Sequence, residues 1–151
     1  MGRIMDAMNS FFTTDDWRFS QIEGRDVLRM GFSGDNGQWT CYAQAREEQE
    51  QFIFYSSCPI KAQEDKRATM SEFLTRANFG LVIGNFEMDY SDGEIRYKTS
   101  LSVADGELLT QGLIKHAVYA NVLTMDRYLP GIMAVMYGDV TPEQAIAKIE
   151  G

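Results

Sequence analysis

Gly84–Leu101, GNFEMDYSDGEIRYKTSL, constrains the fold more than any other stretch of the chain. Asp92-Gly93 is its strongest turn signal. A type I′ turn needs positive φ at both central residues, which Gly accepts freely and Asp tolerates. Alternating segments flank it, so the stretch reads as a hairpin with a two-residue loop. Counting outward sets Glu87 opposite Lys98, Asp89 opposite Arg96, Met88 opposite Tyr97 and Phe86 opposite Thr99. Side chains alternate between the faces of a strand. One face then carries Phe86, Met88, Tyr90, Ile95 and Tyr97. The other carries two ion pairs, each contributing roughly 0.2–1 kcal/mol. Those carboxylates could instead serve as metal ligands or acid–base groups. Each has a cation opposite and no His nearby, which favours pairing.

The remaining sequence supplies partners for this ribbon. Arg18–Ile22, Val27–Ser33, Gln38–Arg46 and Gln51–Ser57 read as strands, separated by Glu23-Gly24-Arg25-Asp26, Gly34-Asp35-Asn36-Gly37 and Glu47-Glu48-Gln49-Glu50. Short turns between strands favour antiparallel neighbours, because parallel strands need long crossovers. Pro59 closes the meander. Helical periodicity marks residues 3–13, 63–79, 107–125 and 126–137, the last holding Pro130 either as a kink or in a first turn. Asn78-Phe79-Gly80 stops the second helix, with Gly80 available for a left-handed cap. Thr141-Pro142-Glu143-Gln144 has the capping-box pattern of a short final helix over 142–149. The expected class is α+β: an antiparallel sheet, meander plus hairpin, covered by helices.

The chain has 151 residues, no internal repeat and no low-complexity linker, so one domain spanning 1–151 is expected. A net charge of −8 argues against nucleic acid, since phosphate binding needs clustered Lys and Arg. No apolar run reaches the length of a membrane span. The N-terminus lacks the pattern of a secretory signal, and Asp6 spoils a myristoylation motif. A cytoplasmic protein is expected, with Cys41 and Cys58 buried and reduced.

No catalytic, metal or cofactor motif is present: no GxGxxG, P-loop, HExxH or EF-hand loop. Asp89-Tyr90-Ser91-Asp92-Gly93 is only a fragment of a calcium loop. His116 is the one histidine and has no second His to form a ligand set, so it reads as a structural or surface side chain. Two candidate binding features remain. Ile4, Met5, Met8, Phe11 and Phe12 form an apolar stripe on the first helix, which either packs on its own sheet or docks on a partner through Met8, Phe11 and Phe12. Asn78 and Asn85 bracket the turn between helix and hairpin and either cap backbone groups or, with Tyr97, line a cleft between sheet and long helix.

Arg76-Ala77-Asn78-Phe79-Gly80-Leu81, Ile83-Gly84-Asn85-Phe86-Glu87-Met88-Asp89 and Asp92-Gly93-Glu94-Ile95-Arg96-Tyr97, with Pro142-Glu143 further on, resemble the YbjN family of bacterial proteins. The resemblance covers about residues 59–150. It implies a fold similar to type III secretion chaperones, often dimeric, and a regulatory role in sensory transduction. It brings no catalytic residues with it. The expectation is therefore a non-enzymatic, protein-binding module of adaptor, chaperone-like or regulatory type, homodimeric, needing no cofactor. The competing expectation is a small-molecule binder or weak enzyme with a pocket between sheet and long helix.

Overall fold

A computed structural model describes residues 2–151. Six strands form one antiparallel sheet: β1 (Phe19–Gln21), β2 (Val27–Ser33), β3 (Gln38–Arg46), β4 (Gln51–Ser57), β5 (Asn85–Met88) and β6 (Ile95–Ser102). Their order across the sheet is β1-β2-β3-β4-β6-β5, so the meander joins the hairpin through β4 and β6, and β5 is an edge. The helices are α1 (Arg3–Thr14), α2 (Arg67–Asn78), α3 (Gln111–Tyr137) and α4 (Pro142–Glu150).

One face of the sheet supplies the core. Leu28, Cys41, Ala43, Phe52, Phe54, Ile95 and Tyr97 are buried there beneath side chains of the helices. The alternate positions, including Val27, Arg29, Tyr42, Ile53, Tyr55, Arg96 and Lys98, lie on the other face, and none belongs to that core. This is the division that period-two patterning enforces.

The hairpin register differs from the expected one. Glu87 pairs with Arg96, Phe86 with Tyr97 and Met88 with Ile95, a slip of two residues. Among the loop residues only Gly93 has positive φ, at 80°, so the two-residue turn does not form. Asp89 Oδ1 instead accepts bonds from Ser91 N (2.9 Å) and Ser91 Oγ (2.6 Å), which starts the loop earlier. The loop closes where Gly93 N donates to the Asp89 carbonyl at 2.7 Å. Asp89 is thus a turn residue and does not face Arg96. An even slip keeps every side chain on its face. Phe86, Ile95 and Tyr97 remain buried, Lys98 Nζ reaches Glu87 Oε2 diagonally at 3.1 Å, and only Tyr90 leaves the apolar face, 56% exposed.

The two expected helices over 107–125 and 126–137 are one. Pro130 sits inside α3. A proline cannot donate to the carbonyl four residues back, which here belongs to Asp126. That carbonyl accepts Asn36 Nδ2 at 3.0 Å instead, while the Asp126 carboxylate accepts Asp35 N (3.1 Å) and Asn36 N (2.8 Å). The β2–β3 turn therefore docks where the helix has a spare acceptor. The helix starts at Gln111, later than expected, with Thr110 accepting Leu113 N at 3.1 Å as its cap. At α1 no side chain of the helix's own N-cap serves. Glu47, read from sequence as a connector acid, accepts Ile4 N (3.1 Å) and Met5 N (2.8 Å), placing an anion at a helix N-terminus. The final helix carries its capping box as expected, Thr141 and Gln144 bonding reciprocally.

Candidate partner-binding groove

Met8 and Phe12 are fully buried, and Phe11 nearly so. The Phe12 ring lies 5.5 Å from Trp17 and 6.1 Å from Phe54 on the sheet. The α1 stripe therefore belongs to the core, in place of the exposed contact surface that the sequence reading offered for these three residues. The physical reason is the sheet itself, whose inner face presents small Cys41, Ala43 and Ala45 over one strand and leaves room for large helix side chains.

Exposed apolar surface collects elsewhere. Val82 is 93% exposed, Ile83 53% and Leu113 42%, and these side chains line one concavity of about 510 Å³ with Ala117 and Leu101. Its floor is the C-terminal half of β6. One wall is the start of α3, the other the loop between α2 and β5. Thr99 Oγ1, buried on the same strand, donates to the Ala117 carbonyl at 2.9 Å, fixing helix to sheet. Asn85, Lys98 and His116 contribute polar groups at the rim.

The loop wall exists because of two glycines and four hydrogen bonds. Gly80 (φ 90°) ends α2 in the left-handed region, as the sequence indicates. Gly84 (φ 83°) turns the chain sharply at the start of β5, and a Cβ there would stand 2.7 Å from the Lys98 carbonyl oxygen. Tyr97 OH donates to the Ile83 carbonyl at 2.5 Å, and burial pushes that phenol's pKa up, so it stays a donor. Asn78 accepts Phe86 N at 2.7 Å and donates to the Phe86 carbonyl at 3.0 Å. Asn85 Nδ2 donates to the same carbonyl at 3.1 Å.

Of the three residues proposed for a cleft, only Asn85 lines this groove. Asn78 and Tyr97 spend their polar atoms behind its wall, shaping it from the back. Val82, Ile83 and Leu113 were not singled out from sequence. The one signal in the sequence is the glycine-bracketed apolar loop Gly80–Gly84; Leu113 carries none, since it falls near the apolar face of the long helix.

The comparisons with known proteins agree with this architecture. The sequence matches, over residues 5–134, the YbjN family, described as "Putative bacterial sensory transduction regulator". The chain belongs to the YbjN family. No curated protein matches it. Among solved structures it is similar to "YbjN, a putative transcription regulator from E. coli", with a TM-score of 0.59 and 11% identity over 89% of each chain. It is also similar to the ExsC-ExsE complex, with a TM-score of 0.53 and 11% identity over 86% of this chain and 96% of that one. At such identities the likeness is one of fold, and the fold is the α+β, type III secretion chaperone-like one that the family resemblance implied. Among the described residues no helix is long and apolar enough to cross a membrane.

Proposed function

We propose that the protein is a non-enzymatic protein-binding module of adaptor, chaperone-like or regulatory type, and that the groove between the Gly80–Gly84 loop and α3 holds its polypeptide partner. The observation that carries this reading is the convergence of exposed Val82, Ile83 and Leu113 on one concavity. Surface apolar residues scattered singly need no explanation, but a contiguous rimmed patch does. The family's description as a sensory transduction regulator supports the reading, as does similarity in fold to a protein solved in a complex. The proposal extends to a cytoplasmic homodimer, and a monomer mass by light scattering removes the dimer from it.

The test places photoreactive benzoylphenylalanine at position 113, or at exposed Met133 far along the same helix, in the full chain expressed in its native host. The expected result is a polypeptide adduct from position 113, lost on adding Val82→Asp, and none from position 133. Equal adducts from both positions, or none from 113, would overturn it.

A second reading has one observation in its favour. Asn85, Lys98 and His116 rim a volume within the range of small-ligand sites, roughly 300–1,000 Å³. It predicts a small molecule retained in the native mass spectrum and lost in Lys98→Ala.

A further inference from the structure

Strand β6 outruns its neighbour. Its pairing with β5 ends at Asn85–Lys98, whereas its pairing with β4 continues to Ser102. The hydrogen-bond phase follows from two bonds: Ile95 O accepts from Cys58 N, and Val103 N donates to Glu50 O. Odd-numbered residues of β6 therefore bond toward β4, and even-numbered ones point the other way, as antiparallel ladders require. Arg96 and Lys98 spend those outward groups on β5. Ser100 and Ser102 have no main-chain partner on that side among the described residues. Gly84 is the cause, because it takes the chain off the sheet one residue before these pairs would form. The result is a notch in the sheet edge, two residues with four backbone groups unpaired among the described residues, and its Ser100 end lines the apolar groove.

We infer that the groove captures its partner by strand addition: an extended segment pairs with Ser100 and Ser102 and completes the sheet in line with β5. This rests on the polypeptide-binding reading and specifies its chemistry. Side chains of an added strand alternate between the two faces of the sheet. Those on the helix side enter the space between Ile83, Leu113 and Ala117, so they must be apolar. Those on the opposite face join a surface whose strand positions hold four cations, Arg29, Arg46, Arg96 and Lys98, against one carboxylate, Glu87. Glu87 pairs with both Arg96 and Lys98, and Asp89 and Glu94 lie beside Arg96, so the excess of cations over carboxylates is confined to the strand positions themselves, on a chain of net charge −8. The complementary segment alternates apolar and acidic residues.

The test uses the full-length protein and fluorescein-labelled decapeptides read by anisotropy. One peptide alternates valine and glutamate, a second alternates valine and lysine, and a third is the first with alternate amides N-methylated. The Val/Glu peptide is expected to bind at least tenfold tighter than the other two. Ser100→Pro removes an outward N–H that bonds to nothing in the fold, at an edge position where proline is tolerated. It is expected to lower affinity at least tenfold, while Ser100→Ala binds as wild type. Thermal melts confirm that each variant is folded, and Ser102→Pro replaces Ser100→Pro if the latter is not. Equal binding of the N-methylated peptide, or unchanged binding by the folded proline variant, overturns strand addition. If Leu113→Asp still weakens the Val/Glu peptide in that case, the groove reading survives and only the mode fails. If Leu113→Asp has no effect, the groove reading fails too. Loss of self-association in place of peptide binding in the proline variant would assign the notch to a second copy and overturn the proposal.

Discussion

Gly84→Ala should be far more damaging than Gly80→Ala, although both glycines hold left-handed backbone at nearly the same angle, φ 83° and 90°. Backbone strain is therefore common to both, about 1–2 kcal/mol for a residue bearing a Cβ. Stiffening of the unfolded chain offsets about 0.4–1 kcal/mol of it in each. The difference lies in what the methyl meets. At Gly80 nothing lies within 4 Å. At Gly84 the Cβ stands 2.7 Å from the Lys98 carbonyl oxygen, 2.7 Å from Thr99 Cγ2 and 2.9 Å from Tyr97 Cε2. One of these is main chain of a central strand pair and another is a fully buried ring, so relief must come from the Gly80–Gly84 loop. Overpacking of that kind costs about 1–3 kcal/mol. The expected loss is about 0–1.5 kcal/mol for Gly80→Ala and about 1–4.5 kcal/mol for Gly84→Ala. Urea denaturation by far-UV circular dichroism, analysed by linear extrapolation, measures both. If the two variants are equally stable, the close approach of Gly84 to β6 is wrong, and so is the account of how the groove wall is set.

Other consequences follow from the core and the turns. Phe12→Ala should cost about 3–5 kcal/mol, and deletion of residues 1–13 should unfold the chain, because α1 is core; a folded deletion that had lost only a partner would return the helix to the role of contact surface. Asp126→Ala removes two charge-assisted bonds to the β2–β3 turn and should cost about 2–3 kcal/mol in the same denaturation assay, with Asn recovering part of it. Burial pushes the Cys41 thiol up to about 12 and Cys58 up to about 11, so neither should react with a thiol reagent at pH 8 until the protein unfolds. The folded thiols hold protons that unfolded ones release, so stability from them is full below the unfolded pKa and falls as pH rises from about 9 toward 11–12. A stability profile flat across that window, measured against the Cys41→Ala/Cys58→Ala double variant, would contradict their burial.

The strands β2, β3 and β4 were legible from sequence to the residue, because alternating apolar positions and Gly- or Glu-rich turns agreed at every boundary. The hairpin was legible in its faces but not its register. Period-two patterning is blind to a slip of two, and the slip was decided by Asp89 bonding Ser91 locally. The fusion of α3 could not be read, since what makes Pro130 tolerable is Asn36, nearly a hundred residues away. The groove escaped for a related reason. Asn78, Asn85 and Tyr97 drew attention as polar residues near a turn, but two of them build the wall from behind. The residues that face outward, Val82, Ile83 and Leu113, look like ordinary core candidates until the topology places them where nothing covers them.

Hydrogen–deuterium exchange of the full-length protein, alone and with a polypeptide recovered by crosslinking at position 113, tests the central claim most directly. Added protection is expected, confined to segments covering residues 79–84 and 99–117. Protection instead across the open face of β2, β3 and β4, with those segments unchanged, would contradict it.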